Sequence, residues 1–327
     1  MIIYRNKINE AKKIYKYLDK SGKEIKDKKT LDYLESLTIP PAYNDVEIFY
    51  KKAPKILFQG LDAKGRLQQI YSPKWRASAD KEKFKALIDF GHKLPAMNLA
   101  IKKNISTPGR SKDKIISIIL RIITLCGFRI GQLKYHFLYG SIGLSTLMKK
   151  HITLKKNKSE LHIIFLGKKG VQNECVVTDK TLIAEIEKFA VDKKSHEFLF
   201  MYNEDGKPKH ITPIDVNNWL KEYNEEFTSK FFRTFAVNEK FIEITRDSTI
   251  SLPTTMTEAQ RKKQVVSMIK DLSCSINNTP SICKKSYLDP KLIELYIQQP
   301  KKYTTNIIKN NYSPSVNFIK FLESNHA

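Results

Sequence analysis

Four short stretches of the chain combine residue types able to act on an anionic ester. They are Phe128-Arg129-Ile130-Gly131-Gln132-Leu133-Lys134-Tyr135, Phe165-Leu166-Gly167-Lys168-Lys169-Gly170, Ser229-Lys230-Phe231-Phe232-Arg233-Thr234-Phe235 and Asn278-Thr279-Pro280-Ser281-Ile282-Cys283-Lys284-Lys285-Ser286-Tyr287. Arginine holds oxyanions through forked, charge-assisted hydrogen bonds. Lysine can hand over a proton, and a tyrosine phenol can serve as a nucleophile. Each residue alone has a plainer reading. A single arginine is commonly paired with a carboxylate, and a lysine at a turn is commonly solvated. One of fifteen tyrosines packs more often than it reacts.

The elements that must position these stretches fall into two groups. Up to about residue 78 the pattern is β-rich with some helix. A short helical pattern runs from Thr30 to Leu37, followed by strand-like runs at Val46 to Tyr50, Ile56 to Gln59 and Arg66 to Tyr71. The last two are joined by the turn-forming cluster Asp62-Ala63-Lys64-Gly65. From Ala79 onward the spacing of Phe84, Leu87, Ile88 and Leu94 is helical. Lys112 to Cys126 is apolar on most sides, which predicts a buried helix. Thr212-Pro213 predicts a capped helix start, after which Trp219, Leu220, Tyr223 and Phe227 make one face. Residues 151–177 break the helical pattern and predict three short strands, with Gly167-Lys168-Lys169-Gly170 as the second turn. The expected division is a domain at 1–78 and a second at 79–327.

Lys and Arg number 58 against 34 Asp and Glu, a formal charge of +24. Such an excess repels itself unless a polyanion relieves it, and nucleic acid is the default partner. At 41% hydrophobic the chain has material for a real core, enough by length for about two domains. The start, Met1-Ile2-Ile3-Tyr4-Arg5, lacks a signal peptide's apolar region, and the run from Ile115 to Cys126 is too short and polar to span a bilayer. No membrane association is expected. Cys126, Cys175, Cys274 and Cys283 are scattered without a CxxC pair, so neither a disulfide nor a zinc site is expected, as suits a reducing compartment. No HExxH, no acidic pair of two-metal type and no GxxxxGK[ST] loop occurs, so neither metal nor nucleotide cofactor is expected.

Taken together and in order, the four stretches resemble those of the type IB DNA topoisomerases of poxviruses, giant viruses and bacteria, over nearly the whole chain. Gly143-Leu144-Ser145-Thr146-Leu147 and His151-Ile152 extend the likeness, as does Gly65-Arg66-Leu67-Gln68-Gln69-Ile70-Tyr71 near the N-terminus, with Lys74, Trp75 and Arg76 following. The resemblance implies an α+β fold: a small β-rich N-terminal domain that clamps DNA, and a mostly α-helical catalytic domain with a three-stranded antiparallel sheet. It implies Tyr287 as nucleophile, Arg129 and Arg233 as clamps on the phosphate, Lys168 as general acid helped by Lys230, and Asn278 as a further donor. Lys169 is the local competitor of Lys168. Poxvirus members carry His at the position of Asn278, so a proton-transfer role there is not implied; Asn still donates a hydrogen bond.

The implied activity is relaxation of supercoiled double-stranded DNA by a monomeric clamp, through a 3′-phosphotyrosyl intermediate. DNA contacts are implied at Gln68, Gln69 and Tyr71, and at Gln132, Lys134 and Tyr135. Poxvirus enzymes carry lysine at the position of Gln132. Glutamine tends to read adenine where lysine reads guanine, so a different sequence preference is expected. The competing assignment is a site-specific tyrosine recombinase. That family usually has His three residues before the second arginine, where this chain has Lys230. Abundant lysine, isoleucine and asparagine suit the AT-rich genome of a large DNA virus or a bacterium. The expected location is cytoplasmic: a viral factory or virion in the first case, the nucleoid in the second.

Overall fold

The computed structural model describes residues 1–9, 14–51, 54–155, 157–247 and 250–327. These divide into two compact units, Met1–Lys83 and Phe84–Ala327. In the first, β1 (Ile2–Asn9), β2 (Ile14–Leu18), α1 (Lys28–Ser36), β3 (Asn44–Phe49), β4 (Ile56–Leu61) and β5 (Leu67–Tyr71) build an antiparallel sheet in the order β2-β1-β3-β4-β5. Ile3, Val46, Ile48 and Phe58 alternate with outward residues and bury one sheet face against Leu34 of α1. Asp27 caps α1 by accepting from the Thr30 amide. Arg5 shares the buried side, and its guanidinium donates to the carbonyls of Ile39, Pro40 and Tyr43 at 3.0, 2.9 and 3.0 Å, closing the segment between α1 and β3.

Helix α2 (Pro73–Ile105) follows, and the division between units falls within it after Lys83. The expected boundary near residue 78 lies a few residues earlier, inside the same helix. The change of pattern in the sequence marks where α2 begins to bury side chains, from Phe84 onward, rather than where it starts.

The second unit contains α3 (Lys112–Cys126), α4 (Leu133–Tyr139), β6 (Ile152–Leu154), β7 (Leu161–Leu166), β8 (Gln172–Val177), α5 (Lys180–Ala190), β9 (Met201–Glu204), β10 (Lys207–His210), α6 (Pro213–Lys221), α7 (Ser229–Thr245), α8 (Glu258–Ser275), α9 (Pro280–Ser286), α10 (Pro290–Gln298), α11 (Pro300–Tyr303) and α12 (Pro314–His326). α3 is its axis. Ile115, Ile116, Ile118, Ile119, Leu120, Ile122 and Ile123 are all buried, and the helix touches α6, α7, β8 and β9. Each such side chain stabilises the fold by about 1.5–3 kcal/mol. Ser111 caps α3 at its start, and Gly127 ends it in a left-handed conformation (φ 62°). Thr212 and Asp215 form a reciprocal capping box at α6. β6, β7 and β8 form the expected antiparallel sheet. Among the described residues, no helix is long and apolar enough to cross a membrane.

One expectation is corrected. Cys126, the last residue of α3, is disulfide-bonded to Cys175 of β8, with Cα atoms 5.6 Å apart. The spacing of 49 residues carries no motif; the packing of β8 on α3 creates the pairing. The cysteines therefore lend no support to a reducing compartment. Cys274 and Cys283 are free.

Candidate active site

Arg129 lies in the bend between α3 and α4, held by backbone on both sides. The carbonyl of Arg129 accepts from Leu144 N at 3.0 Å and that of Ile130 from Ser145 N at 2.6 Å. Beneath this contact Gly131 (φ 87°) and Gly143 pack main chain to main chain: a Cβ on Gly131 would stand 2.8 Å from the Gly143 Cα. No side chain fits there, which accounts for both glycines. On the other side, a Cβ on Gly127 would meet the Ile276 Cα at 2.8 Å. The first arginine segment is thereby pressed against the loop that enters the tyrosine segment.

That segment begins at Asn278. Thr279 caps α9 by accepting from Ile282 N, with Pro280 in the first turn. The short helix delivers Tyr287 at its C-terminal end, 4% exposed. Arg233 of α7 is 5% exposed. Its Nε donates to Gly127 O at 2.6 Å, its Nη2 to Ile276 O at 3.3 Å and its Nη1 to the phenolic oxygen of Tyr287, with Cζ 4.7 Å from the ring centre. One helical turn and a half further along α7, Asn238 Nδ2 donates to the Tyr287 carbonyl at 2.9 Å. The same helix therefore grips the tyrosine at both ends.

Arg129 Nη2 donates to Asn278 Oδ1 at 2.7 Å, and Asn278 Nδ2 donates to Ile276 O at 2.9 Å. Ile276 O thus accepts from both Asn278 and Arg233, joining the two arginines in one network. Burial, and secondarily the nearby Arg129 charge, push the Arg233 guanidinium down to about 10; it stays protonated at neutral pH. Burial pushes the adjacent Cys283 thiol up to about 11, leaving it a neutral packing group. The arrangement presents two fixed cations and an amide beside a phenol, suited to an anion under attack by that phenol.

The structure brings Arg129, Asn278, Arg233 and Tyr287 into this network. Lys168 stands exposed at the tip of the β7–β8 hairpin, next to Lys169, which is left-handed (φ 65°). Lys230 is exposed in the first turn of α7. Gln132, just ahead of α4, and Lys134 and Tyr135 on it are exposed; α4 has no fully buried residue, with Leu133 and His136 half-buried. Gln69 and Tyr71 share one face of β5, where Tyr71 Oη donates to Gln69 Oε1 at 3.1 Å and Gln69 Nε2 donates to Gln59 at 2.9 Å. Gln68 points to the other face and donates to Asp62 at 3.0 Å, because neighbouring strand residues alternate. His151 accepts from the Met148 amide at 3.0 Å, and burial lowers it to about 4; His162 is paired with Glu160.

Two features were not singled out in the sequence, and a third, Trp75, was named there only as following Tyr71. Asn238 carries no local motif; only its spacing from Arg233 on one helix could have suggested a shared target. Trp75 stacks on Tyr71 with centroids 4.6 Å apart, under the Lys55 ammonium. Phe137, Leu138 and Tyr139 of α4 are exposed although their composition reads as core.

Residues 72–312 match the family model described as eukaryotic DNA topoisomerase I, catalytic core, and residues 14–62 match bacterial DNA topoisomerase IB, N-terminal domain. The first match spans most of the chain, and the chain belongs to the type IB DNA topoisomerase family, enzymes of the isomerase class. Within that family it is similar to DNA topoisomerase 1B of Acanthamoeba polyphaga mimivirus, 31% identical over 305 residues, which cover 91% of this chain and 88% of the relative. Vaccinia virus (strain Copenhagen) DNA topoisomerase 1B is 26% identical over 277 residues, 82% of each chain. Monkeypox virus DNA topoisomerase I is 26% identical over the same length and coverage.

Proposed function

We propose that this chain relaxes supercoiled double-stranded DNA by cutting one strand through Tyr287, allowing rotation, and resealing it. The observation that carries the reading is the Arg233 guanidinium on the phenolic oxygen of Tyr287, with Arg129 and Asn278 joined to it through Ile276 O. In the proposed step the Tyr287 oxygen attacks a backbone phosphorus and releases its proton to water. The bond from phosphorus to the 5′ oxygen breaks, leaving a 3′-phosphotyrosyl ester and a 5′ hydroxyl. Arg129 and Arg233 exchange their present acceptors for the non-bridging oxygens, where negative charge builds. Lys168, aided by Lys230, supplies the proton that the departing 5′ oxygen needs. Religation is the reverse, and the ester retains the energy of the broken bond, so no nucleotide is needed; the arginines and Lys168 supply the charge and the proton that a metal would otherwise provide.

The +24 charge favours the polyanionic substrate through counterion release. Gln69 and Tyr71 of the N-terminal unit, and Gln132, Lys134 and Tyr135 of α4, are the proposed DNA contacts, with each unit contributing to a monomeric clamp. Trapping the denatured covalent complex and mapping the attached residue and DNA end tests the reading. Attachment through Tyr287 to a 3′ end is expected; another residue or a 5′ end rejects it. Relaxation is expected to persist with a chelator and without added nucleotide, and strict dependence on either also rejects it.

A further inference from the structure

The main chain around Tyr287 is anchored to the end of the chain by buried polar groups that the proposed chemistry does not use. Asn238 Nδ2 donates to the Tyr287 carbonyl, and Asn238 Oδ1 accepts from the Asp289 amide at 2.8 Å. The Asp289 carboxylate caps α10 through Oδ1, which accepts from Lys291 N at 2.8 Å. Its other oxygen, Oδ2, lies 2.7 Å from His326 Nε2. Asn238 and Asp289 are 0% exposed and His326 is 5% exposed. The imidazole packs against Phe84 and Phe321, with ring centroids 5.3 and 6.4 Å away. A carboxylate can only accept, so Nε2 is the donor.

Burying a charged carboxylate is unfavourable unless it is paired. Asp289 sits two residues after the tyrosine, and α12 supplies a partner from 37 residues away in sequence. We infer that His326 is a positioning residue for Tyr287: through Asp289 and Asn238 it fixes the turn Tyr287-Leu288-Asp289, and so the angle at which the phenol meets phosphorus. Holding a reacting group in line is worth large rate factors, and a misplacement of about 1 Å can cost on the order of a hundredfold. The inference rests on Tyr287 being the nucleophile.

The test compares His326→Phe, which keeps a ring among the aromatic neighbours but deletes the donor, with His326→Gln, which keeps a donor. Three quantities are measured on the full chain: single-turnover cleavage at saturating DNA, noncovalent DNA affinity and thermal stability. His326→Phe is expected to slow cleavage about tenfold with affinity within about twofold. His326→Gln is expected to stay within about threefold of the wild type in cleavage and affinity, with its melting temperature close to that of the wild type. Cleavage by His326→Phe at the wild-type rate, or affinity falling in step with rate, overturns the inference.

If His326→Phe does not fold, His326→Ala with added free imidazole takes its place, and saturable restoration of cleavage is expected. No restoration, or failure of this variant to fold as well, assigns His326 to the core alone and overturns the inference. The underlying reading is tested separately by Tyr287→Phe. If that variant still forms the adduct, the nucleophile is wrong. If it is inert while His326→Phe cleaves normally, only the positioning role is lost.

Discussion

The segment around Tyr287 and the hairpin that carries Lys168 are built on opposite plans. Tyr287, Arg233 and Asn238 are buried and joined by several hydrogen bonds each, and the two glycine contacts on either side of Arg129 leave that segment no room to shift. Lys168, Lys169 and Gly170 form an exposed turn at the end of two strands. The difference matches what each would do in the proposed reaction. Groups that stabilise developing charge work best when already oriented and shielded from water. A proton donor is a long chain with one charge at its end, which can act from an exposed turn. Its strand is nevertheless tied to the buried side, since Cys175 of β8 is bonded to Cys126 beside the first arginine segment.

The contrast can be broken most severely at the tyrosine. Tyr287→Phe should abolish the covalent adduct while DNA affinity stays within about twofold, measured by denaturing gel and by equilibrium binding. Next, Arg233→Ala and Arg129→Ala should each lower single-turnover cleavage by about 10²–10³. The larger loss is expected at Arg233, which also touches the phenol. Equal losses would place the value of Arg233 in the phosphate alone. Lys168→Ala should slow cleavage of ordinary DNA about a hundredfold. Cleavage should return close to normal when the 5′ bridging oxygen is replaced by sulfur, which leaves without a proton. Lack of rescue would transfer the role to Lys169 or Lys230.

Smaller effects sharpen the comparison further. Replacing Cys126 and Cys175 by serine should lower the unfolding free energy by about 4 kcal/mol, from the entropy of a loop of this size. Cleavage at saturating DNA should change less than about threefold. A larger change in rate would mean that the hairpin acts through the bond. Least of all, His151 contributes to pH dependence. Its folded value is depressed to about 4 by burial, below the ordinary 6.5. Its share of stability is therefore present above pH 6.5 and is lost as pH falls towards 4. His151→Gln should flatten that part of an acid-melting curve.

Much of this architecture was legible from side-chain pattern. The helix Lys112–Cys126 and the start of α6 at Thr212-Pro213 follow from a continuous apolar run and a capping box, which act locally. β1, β2, β9 and β10 were not singled out. Strands such as Met201–Glu204 and Lys207–His210 are short and charged, and gain their order from pairing rather than from apolar alternation. In the site, the four motif residues stood out only as an ordered set, because each type is commonplace alone. Asn238, Asp289 and His326 carry no such signal, since their meaning arises from contacts across long separations. The disulfide escaped for the same reason. Gln68 is a different case: strand alternation alone separates it from Gln69 and Tyr71.

The main-chain contact between Gly131 and Gly143 also marks where this enzyme can be re-engineered. Ahead of it, Gly127 and Gly131 on either side of Arg129 leave no room for a side chain. From Lys134 onward α4 has no fully buried residue, with His136 half-buried against Phe198; if α4 reads DNA as proposed, its exposed positions can be recoded as a block without touching the network around Tyr287.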